Sequence, residues 1–291
     1  MRYLYYPGCS AESTGKAYDI STRAVMSKLG VELAELDDWN CCGATSYFSV
    51  RELDSFAIAA RNLAIAEQQS EDDLCVICNA CYTTLAKTNR YMADSPEVFE
   101  AVNGALGAVG RSYSGAKPVR HVMDVLINDV GLEAIEAKVT RRLTGIKVAP
   151  YYGCQYSRPM GAFDDTEFPT TMDRLFEALG ADVLTDYPGK VKCCGGMMML
   201  TKDEGALRMC HELLKTAEDG GADVIVCACP LCEMNVEAYQ GRVNKMFGTR
   251  FNIPVLYFTQ LAGLALGVEP KQLAIDKQVV SCDRVVAAIP A

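Results

Sequence analysis

The sequence has no apolar run approaching the roughly 18 residues that a membrane-crossing helix needs, so no membrane span is expected. The stretch Leu261–Val268 (LAGLALGV) is too short and reads as a buried helix. Positive charge is not in excess: 28 Lys and Arg face 37 Asp and Glu, a net charge of −9. A general nucleic-acid binder needs a basic face to displace phosphate counterions, so that class is excluded, although a few local cations still suffice for a small anion. Histidine occurs only twice, and His121 and His211 lack metal-ligand spacing, so both read as structural. The single tryptophan, Trp39, lies with Asn40 beside a cysteine pair; core packing is its commoner role, shielding of a redox group the rarer one. No secretory leader is visible, because Met1-Arg2-Tyr3 runs straight into a strand-like stretch, and a cytoplasmic location is expected. In that reducing compartment clustered cysteines are metal ligands or redox groups more often than disulfides.

Cysteine, by contrast, is abundant, with 14 in 291 residues, and ten of them write one pattern twice. The first copy is Cys9, Cys41-Cys42-Gly43 and Cys78-Asn79-Ala80-Cys81, with gaps of 31 and 35 residues. The second is Cys154, Cys193-Cys194-Gly195 and Cys229-Pro230-Leu231-Cys232, with gaps of 38 and 34. The duplication divides the chain into two halves of ordinary domain size, 1–145 (with a helical linker at about 94–145) and 146–291.

Each half carries the same order of elements. Strands are expected at Tyr3–Tyr6, Val31–Leu36 and Leu74–Ile77, and helices at Gly15–Leu29, Glu52–Gln68 and Cys81–Met92. The second half repeats this with strands at Lys147–Tyr152, Asp182–Thr185 and Asp223–Cys227, and helices at Thr170–Leu179, Asp203–Glu218 and Cys232–Met246. In the linker, Val119–Asn128 and Leu132–Leu143 look helical. Short β-rich runs alternating with longer periodic segments imply α/β architecture: two pseudo-equivalent halves of βαβ units with mostly parallel sheets. Every cysteine group follows an expected strand, and ligands of open α/β sheets bind beyond the carboxyl ends of strands. The topology would therefore gather distant cysteines on one edge.

Thiolates are soft donors that hold iron–sulfur clusters. Five per half is one more than a four-ligand site needs, and adjacent cysteines bind different metal atoms of one cluster more easily than they chelate a single atom. A lone Cys-x-x-Cys is more often a thioredoxin-like dithiol or half of a zinc site. That reading leaves both Cys-Cys-Gly loops and the two leading cysteines unexplained. Cys75 and Cys227, just before the Cys-x-x-Cys pairs, could serve as spare ligands but are left out because the pairs align best with Cys78 on Cys229. Cys210 and Cys282 have no counterpart in the other half and read as buried thiols. Met197-Met198-Met199 would line an adaptable pocket or fill a core. Arg158, Lys190, Lys192 and Arg208 are candidates to meet an anionic substrate, against the default of solvated surface charge.

The two copies resemble the signature of the cysteine-rich CCG-domain family, from Tyr6-Pro7-Gly8-Cys9 to Cys232. The standalone two-repeat form, with the segment Tyr152-Gly153-Cys154-Gln155-Tyr156-Ser157-Arg158-Pro159, looks like the B subunit of heterodisulfide reductase. That resemblance implies two noncubane [4Fe–4S] clusters. One would be held by Cys9, Cys41, Cys42, Cys78 and Cys81, the other by Cys154, Cys193, Cys194, Cys229 and Cys232. It also implies a catalytic component that reduces the small mixed disulfide of coenzyme M and coenzyme B to two thiols, in two one-electron steps, in methanogenesis. The implied partners are the ferredoxin-like C subunit and the flavin-carrying A subunit of heterodisulfide reductase, with a hydrogenase or formate dehydrogenase in larger assemblies. CCG domains also serve as electron-transfer subunits of other oxidoreductases, such as fumarate, succinate or glycolate enzymes. A fused ferredoxin module is not expected here, since Cys75-x2-Cys78-x2-Cys81 lacks the following Cys-Pro. A zinc-binding scaffold is the non-catalytic alternative. The tail after Pro270 lies outside the repeat and receives no functional reading.

Overall fold

Tyr3–Tyr6 and Val148–Tyr151 are buried along their whole length, as in strands covered on both faces of a parallel sheet. They are the inner strands of two four-stranded sheets in the computed structural model, which describes residues 1–44, 47–156, 158 and 163–290. The first sheet contains β1 (Arg2–Tyr6), β2 (Glu32–Glu35), β3 (Leu74–Val76) and β4 (Val119–His121) in the order β2-β1-β3-β4. The second contains β5 (Lys147–Tyr151), β6 (Asp182–Val183), β7 (Val224–Cys227) and β8 (Val255–Tyr257) in the order β6-β5-β7-β8. All pairings are parallel, so the α/β reading with two equivalent halves holds.

The helices of the first half are α1 (Lys16–Leu29), α2 (Tyr47–Val50), α3 (Glu52–Gln69), α4 (Asn79–Asp94) and α5 (Pro96–Gly107). Next come α6 (Val122–Asp124), prolonged by the π-helical Val125–Val130, and α7 (Leu132–Glu136). The second half has α8 (Thr171–Ala178), α9 (Asp203–Asp219), α10 (Pro230–Glu237), α11 (Gln240–Phe247), α12 (Phe258–Ala265) and α13 (Asp283–Ala288).

Four expectations need correction. Each half has a fourth strand, and Val119–His121 is β4 rather than helix, because it pairs with Leu74–Val76 before the helical stretch begins. Residues 137–143 leave the helix expected at Leu132–Leu143: Thr140 and Arg141 donate their backbone N–H groups to Ala265 O, both at 3.0 Å. The helix expected at Cys232–Met246 is two helices. Gln240 binds the Ile253 backbone at 2.8 and 3.0 Å and so sets α11 against the chain entering β8. Both Cys-x-x-Cys helices start earlier than expected, with Cys78 and Cys229 as their N-cap residues.

In each sheet the chain leaves the first strand to one side, then crosses to the other, so the order reverses between β1 and β3 and between β5 and β7. Crevices at such reversals, beyond the carboxyl ends of the strands, are where open α/β sheets bind ligands. The halves dock reciprocally. Tyr18 of α1 stacks on Tyr257 at 4.4 Å, and Ser21 bonds Thr259 at 2.7 Å. In return His121, at the end of β4, lies edge-on to Tyr156 and parallel to Phe163. The tail is structural: Gln278 reaches Val255 O at 2.6 Å and Glu233 at 3.1 Å, and Leu273 is fully buried against Gly263.

Candidate functional site

Cys9 follows β1, Cys41 and Cys42 follow β2, and Cys78 and Cys81 span the start of α4. Cys154, Cys193, Cys194, Cys229 and Cys232 repeat the arrangement in the second half. The same devices hold both copies. Tyr6 donates its hydroxyl to Asn40 O at 2.7 Å, and Tyr151 donates to Lys192 O at 2.9 Å, so each tyrosine fixes the residue just before a Cys-Cys pair. Gly8 and Gly153 adopt φ of 75° and 71°, and a Cβ there would meet Cys81 Sγ at 3.2 Å and Cys232 Sγ at 3.0 Å. Glycine thus permits both the left-handed backbone and the close approach to sulfur.

All fourteen cysteines are free thiols. Cys42 and Cys81 lie 3.2 Å apart and Cys194 and Cys232 3.7 Å apart, sulfur to sulfur. Further sulfur contacts join Cys9 to Cys41, Cys41 to Cys42, and Cys78 to Cys81. The second half repeats them from Cys154 to Cys193, Cys193 to Cys194, and Cys229 to Cys232. Across the halves the Cys229 thiol interacts with Cys78 and lowers it. The ten motif cysteines therefore form one continuous string, and the other four stay out of it. Cys210 donates to Cys194 O and Asn235 O, and Cys282 to Val280 O.

So many neighbouring sulfurs cannot all ionise. The Cys42 and Cys9 thiols donate to Cys41 and hold it down at about 2, and the Cys154 and Cys194 thiols hold Cys193 at about 2. Cys78 is likewise lowered by the thiols of Cys229 and Cys81. In exchange, Cys42 is pushed up to about 12 by Cys41 and Cys194 to about 11 by Cys193. Backbone amides add to the lowering: Gly195 N–H points at Cys193 Sγ at 3.3 Å, and Gly43 N–H serves Cys41 in the same way. Among the described residues, no group of three or more His, Cys, Asp or Glu is gathered tightly enough to hold a single metal ion. The thiols interact in successive pairs. That donor set suits a multinuclear group bridging several sulfurs, whose positive charge would let them ionise together.

A cavity of about 440 Å³ opens between the halves over the second-half end of this string. Cys154, Cys193, Cys194, Cys229 and Cys232 line one side, and α4 lines the other with Asn79, Thr83 and Lys87. Asn79 is almost fully buried, donates to Tyr152 O at 2.8 Å, and keeps an unpartnered carbonyl oxygen. A larger depression of about 740 Å³ lies at the amino ends of β5, β7 and β8, beside Ile146, Asp223 and Pro254, and has no cysteine in its wall.

The cations expected from the sequence are engaged elsewhere. Arg158 pairs with Glu167 at 2.9 Å, Lys192 with Glu212 at 3.3 Å, and Arg208 lies over Phe247. Lys190 forms a buried pair with Asp173, which also accepts from Tyr152, and so braces the loop leading to Cys154. Met197 lines the cavity, whereas Met199 is buried in the core. His121 and His211 are packing residues, the latter stacked on Phe247 at 4.2 Å. Trp39 packs edge-on against Tyr6. Ser157 and Pro159 lie outside the described residues.

Lys87, Tyr6 and Tyr151 went unnoticed in the sequence. The tyrosines had one available signal, their identical place three residues before the first cysteine of each copy. No helix among the described residues is long and apolar enough to cross a membrane.

Comparisons with known proteins agree with this duplicated architecture. The model of the cysteine-rich (CCG) domain matches residues 3–86 and 148–237. The chain is 34% identical to the B subunit of the ferredoxin/F420H2-dependent CoB–CoM heterodisulfide reductase of Methanosarcina acetivorans, over 94% of this chain and 92% of that one. It is 31% identical to the membrane anchor of the 8-methylmenaquinol:fumarate reductase of Wolinella succinogenes, over 97% and 98%. The crystal structure of a hypothetical protein from Helicobacter pylori superposes with a TM-score of 0.77 at 14% identity, covering 96% of this chain. This chain spans about half (52%) of that protein, and the likeness supports the fold alone. The two matched repeats and the end-to-end similarity place the chain in the cysteine-rich CCG-domain family, among the two-repeat proteins related to the heterodisulfide reductase B subunit.

Proposed function

We propose that the chain is the disulfide-reducing component of a heterodisulfide reductase and holds two noncubane [4Fe–4S] clusters. Cys9, Cys41, Cys42, Cys78 and Cys81 would hold one, and Cys154, Cys193, Cys194, Cys229 and Cys232 the other. The observation that carries this reading is the single string of ten thiols, five from each half, joined at Cys78 and Cys229, with the second-half five in the wall of a ligand-sized cavity. The reaction is R–S–S–R′ + 2 e⁻ + 2 H⁺ → RSH + R′SH, with the mixed disulfide of coenzyme M and coenzyme B as substrate. The clusters would supply the two electrons one at a time. The protein's own part is placement: Tyr6 and Tyr151 pin the Cys-Cys loops, Gly8 and Gly153 let the backbone before the leading cysteines approach the Cys81 and Cys232 sulfurs, and α4 walls the cavity. Exposed Cys9, Cys41 and Cys193 mark where an electron-donating partner comes near the sulfurs. A ferredoxin-like C subunit, fed by a flavin-carrying A subunit, in a cytoplasmic assembly that also takes a hydrogenase or formate dehydrogenase, fits that arrangement. Residues 1–145 and 146–291 are then two CCG domains.

The test is anaerobic purification with iron and sulfide quantified, electron paramagnetic resonance, and a reduced-viologen assay with the mixed disulfide. About eight irons per chain and turnover support the proposal. Zinc in place of iron overturns it. The similarity to the fumarate reductase anchor favours one second reading, an electron-transfer component of another oxidoreductase. Two intact clusters without disulfide turnover would select that reading.

A further inference from the structure

Lys87 is the only Lys, Arg, His, Asp or Glu in the wall of the cavity among the described residues. Its position is fixed. Its ammonium lies 4.2 Å from the centre of the Phe48 ring, 5.0 Å from Tyr91 and 5.7 Å from Phe56. Three aromatic faces hold the cation electrostatically and, among the described residues, leave most of its hydrogen-bond donors unused. Its one carboxylate partner among the described residues, Glu52, lies 3.0 Å away with its side chain 51% exposed. Ion pairs that open to solvent contribute little, so a ligand anion competes with Glu52 at small cost. An ordinary solvated lysine would extend into water, yet this side chain is only 23% exposed.

Lys87 is also one-sided. Counting from the equivalent Cys78 and Cys229, its counterpart in the second half is Ala238, so the duplication does not repeat the charge. The cysteines in the wall are those of the second half, and Lys87 faces them from the first. We propose that Lys87 is the recognition point for an anionic group (sulfonate, carboxylate or phosphate) on a small thiol or disulfide whose sulfur lies over the second-half cysteines. The inference rests on the disulfide-reductase reading of the same cavity and adds a specificity residue to it. It gives an asymmetric ligand a defined orientation.

The test measures binding apart from turnover. Calorimetry on the anaerobic, cluster-loaded protein compares 2-mercaptoethanesulfonate with uncharged 2-mercaptoethanol, using wild type, K87M and E52Q. K87M keeps the stem on the rings and removes the charge. It should weaken the sulfonate about tenfold or more, the scale of one charge-assisted hydrogen bond, and leave mercaptoethanol unchanged. E52Q should tighten the sulfonate up to about threefold by releasing the ammonium. Iron content and resonance spectra matching wild type show that the site is assembled. Equal losses for both thiols in K87M, or no loss for the sulfonate, overturn the proposal, and E52Q decides if K87M fails to load iron. Wild-type protein that binds the sulfonate through Lys87 but turns over no disulfide would overturn the reductase reading and leave this one standing.

Discussion

In the first half Tyr6 holds Asn40 O and Gly8 opens the approach to Cys81; in the second, Tyr151 holds Lys192 O and Gly153 opens the approach to Cys232. The surroundings differ. Cys9 is exposed where Cys154 is partly covered, and the cavity is walled by the sulfurs of the second half and by α4 of the first. His121, capping the helix after β4, stands where the second half has Tyr257 after β8. Backbone and sulfur placement are therefore what the two copies share. The walls and the inter-half packing have diverged, so ligand preference can change without disturbing the thiols.

The sharpest way to break the comparison is at its centre. Cys78→Ala and Cys229→Ala should each lower the iron content by about half or more and abolish redox activity, because a thiolate cluster loses a ligand. Cys75→Ala, three residues before Cys78 and outside the string, should leave iron unchanged. Iron and sulfide assays on the three variants distinguish a site from a scatter of buried thiols.

A second test addresses His121, whose position in the second half is taken by Tyr257. Burial lowers His121 to about 4, so its ring stays neutral in the folded protein while the unfolded chain binds a proton near pH 6.5. Stability is complete above that value, falls as pH drops through it, and levels off below about 4, a loss on the order of 3 kcal/mol by linkage. Anaerobic denaturation at pH 7.5 and pH 5 should show about 2 kcal/mol of this loss in wild type and a smaller one in H121Q.

Gly8→Ala and Gly153→Ala probe the shared approach to sulfur. Each should destabilise its half by about 1–3 kcal/mol through left-handed strain, with the second more severe because its sulfur is nearer. Iron retention against temperature would show the order. The smallest effects belong to Tyr6→Phe and Tyr151→Phe, about 1 kcal/mol each for one lost hydrogen bond. Matched losses in thermal melting would confirm that the two tyrosines do the same job.

Much of this was legible in the sequence, for identifiable reasons. The inner strands announce themselves as short apolar runs, and the cysteines by a spacing that buried thiols do not repeat by chance. β4 and β8 escaped because three residues such as Val119-Arg120-His121 carry no periodicity, and only pairing with β3 makes a strand of them. Helices α4 and α10 begin before the expected cysteine because Cys78 and Cys229 themselves cap them. Lys87 was hidden for another reason. A lysine on a helix reads as solvated, and the aromatic cage that turns it inward comes from Phe48 and Phe56, some 30 to 40 residues earlier in the chain. Lys190 shows the converse: it was expected near a ligand, but Asp173 holds it as a buried brace.

An anomalous difference map at the iron edge, from crystals grown without oxygen, bears most directly on the claim that ten thiols hold two redox centres. The expected result is two separate groups of iron peaks, one against each set of five cysteines, meeting near Cys78 and Cys229. A single peak, zinc in place of iron, or a lone group confined to one half would contradict it.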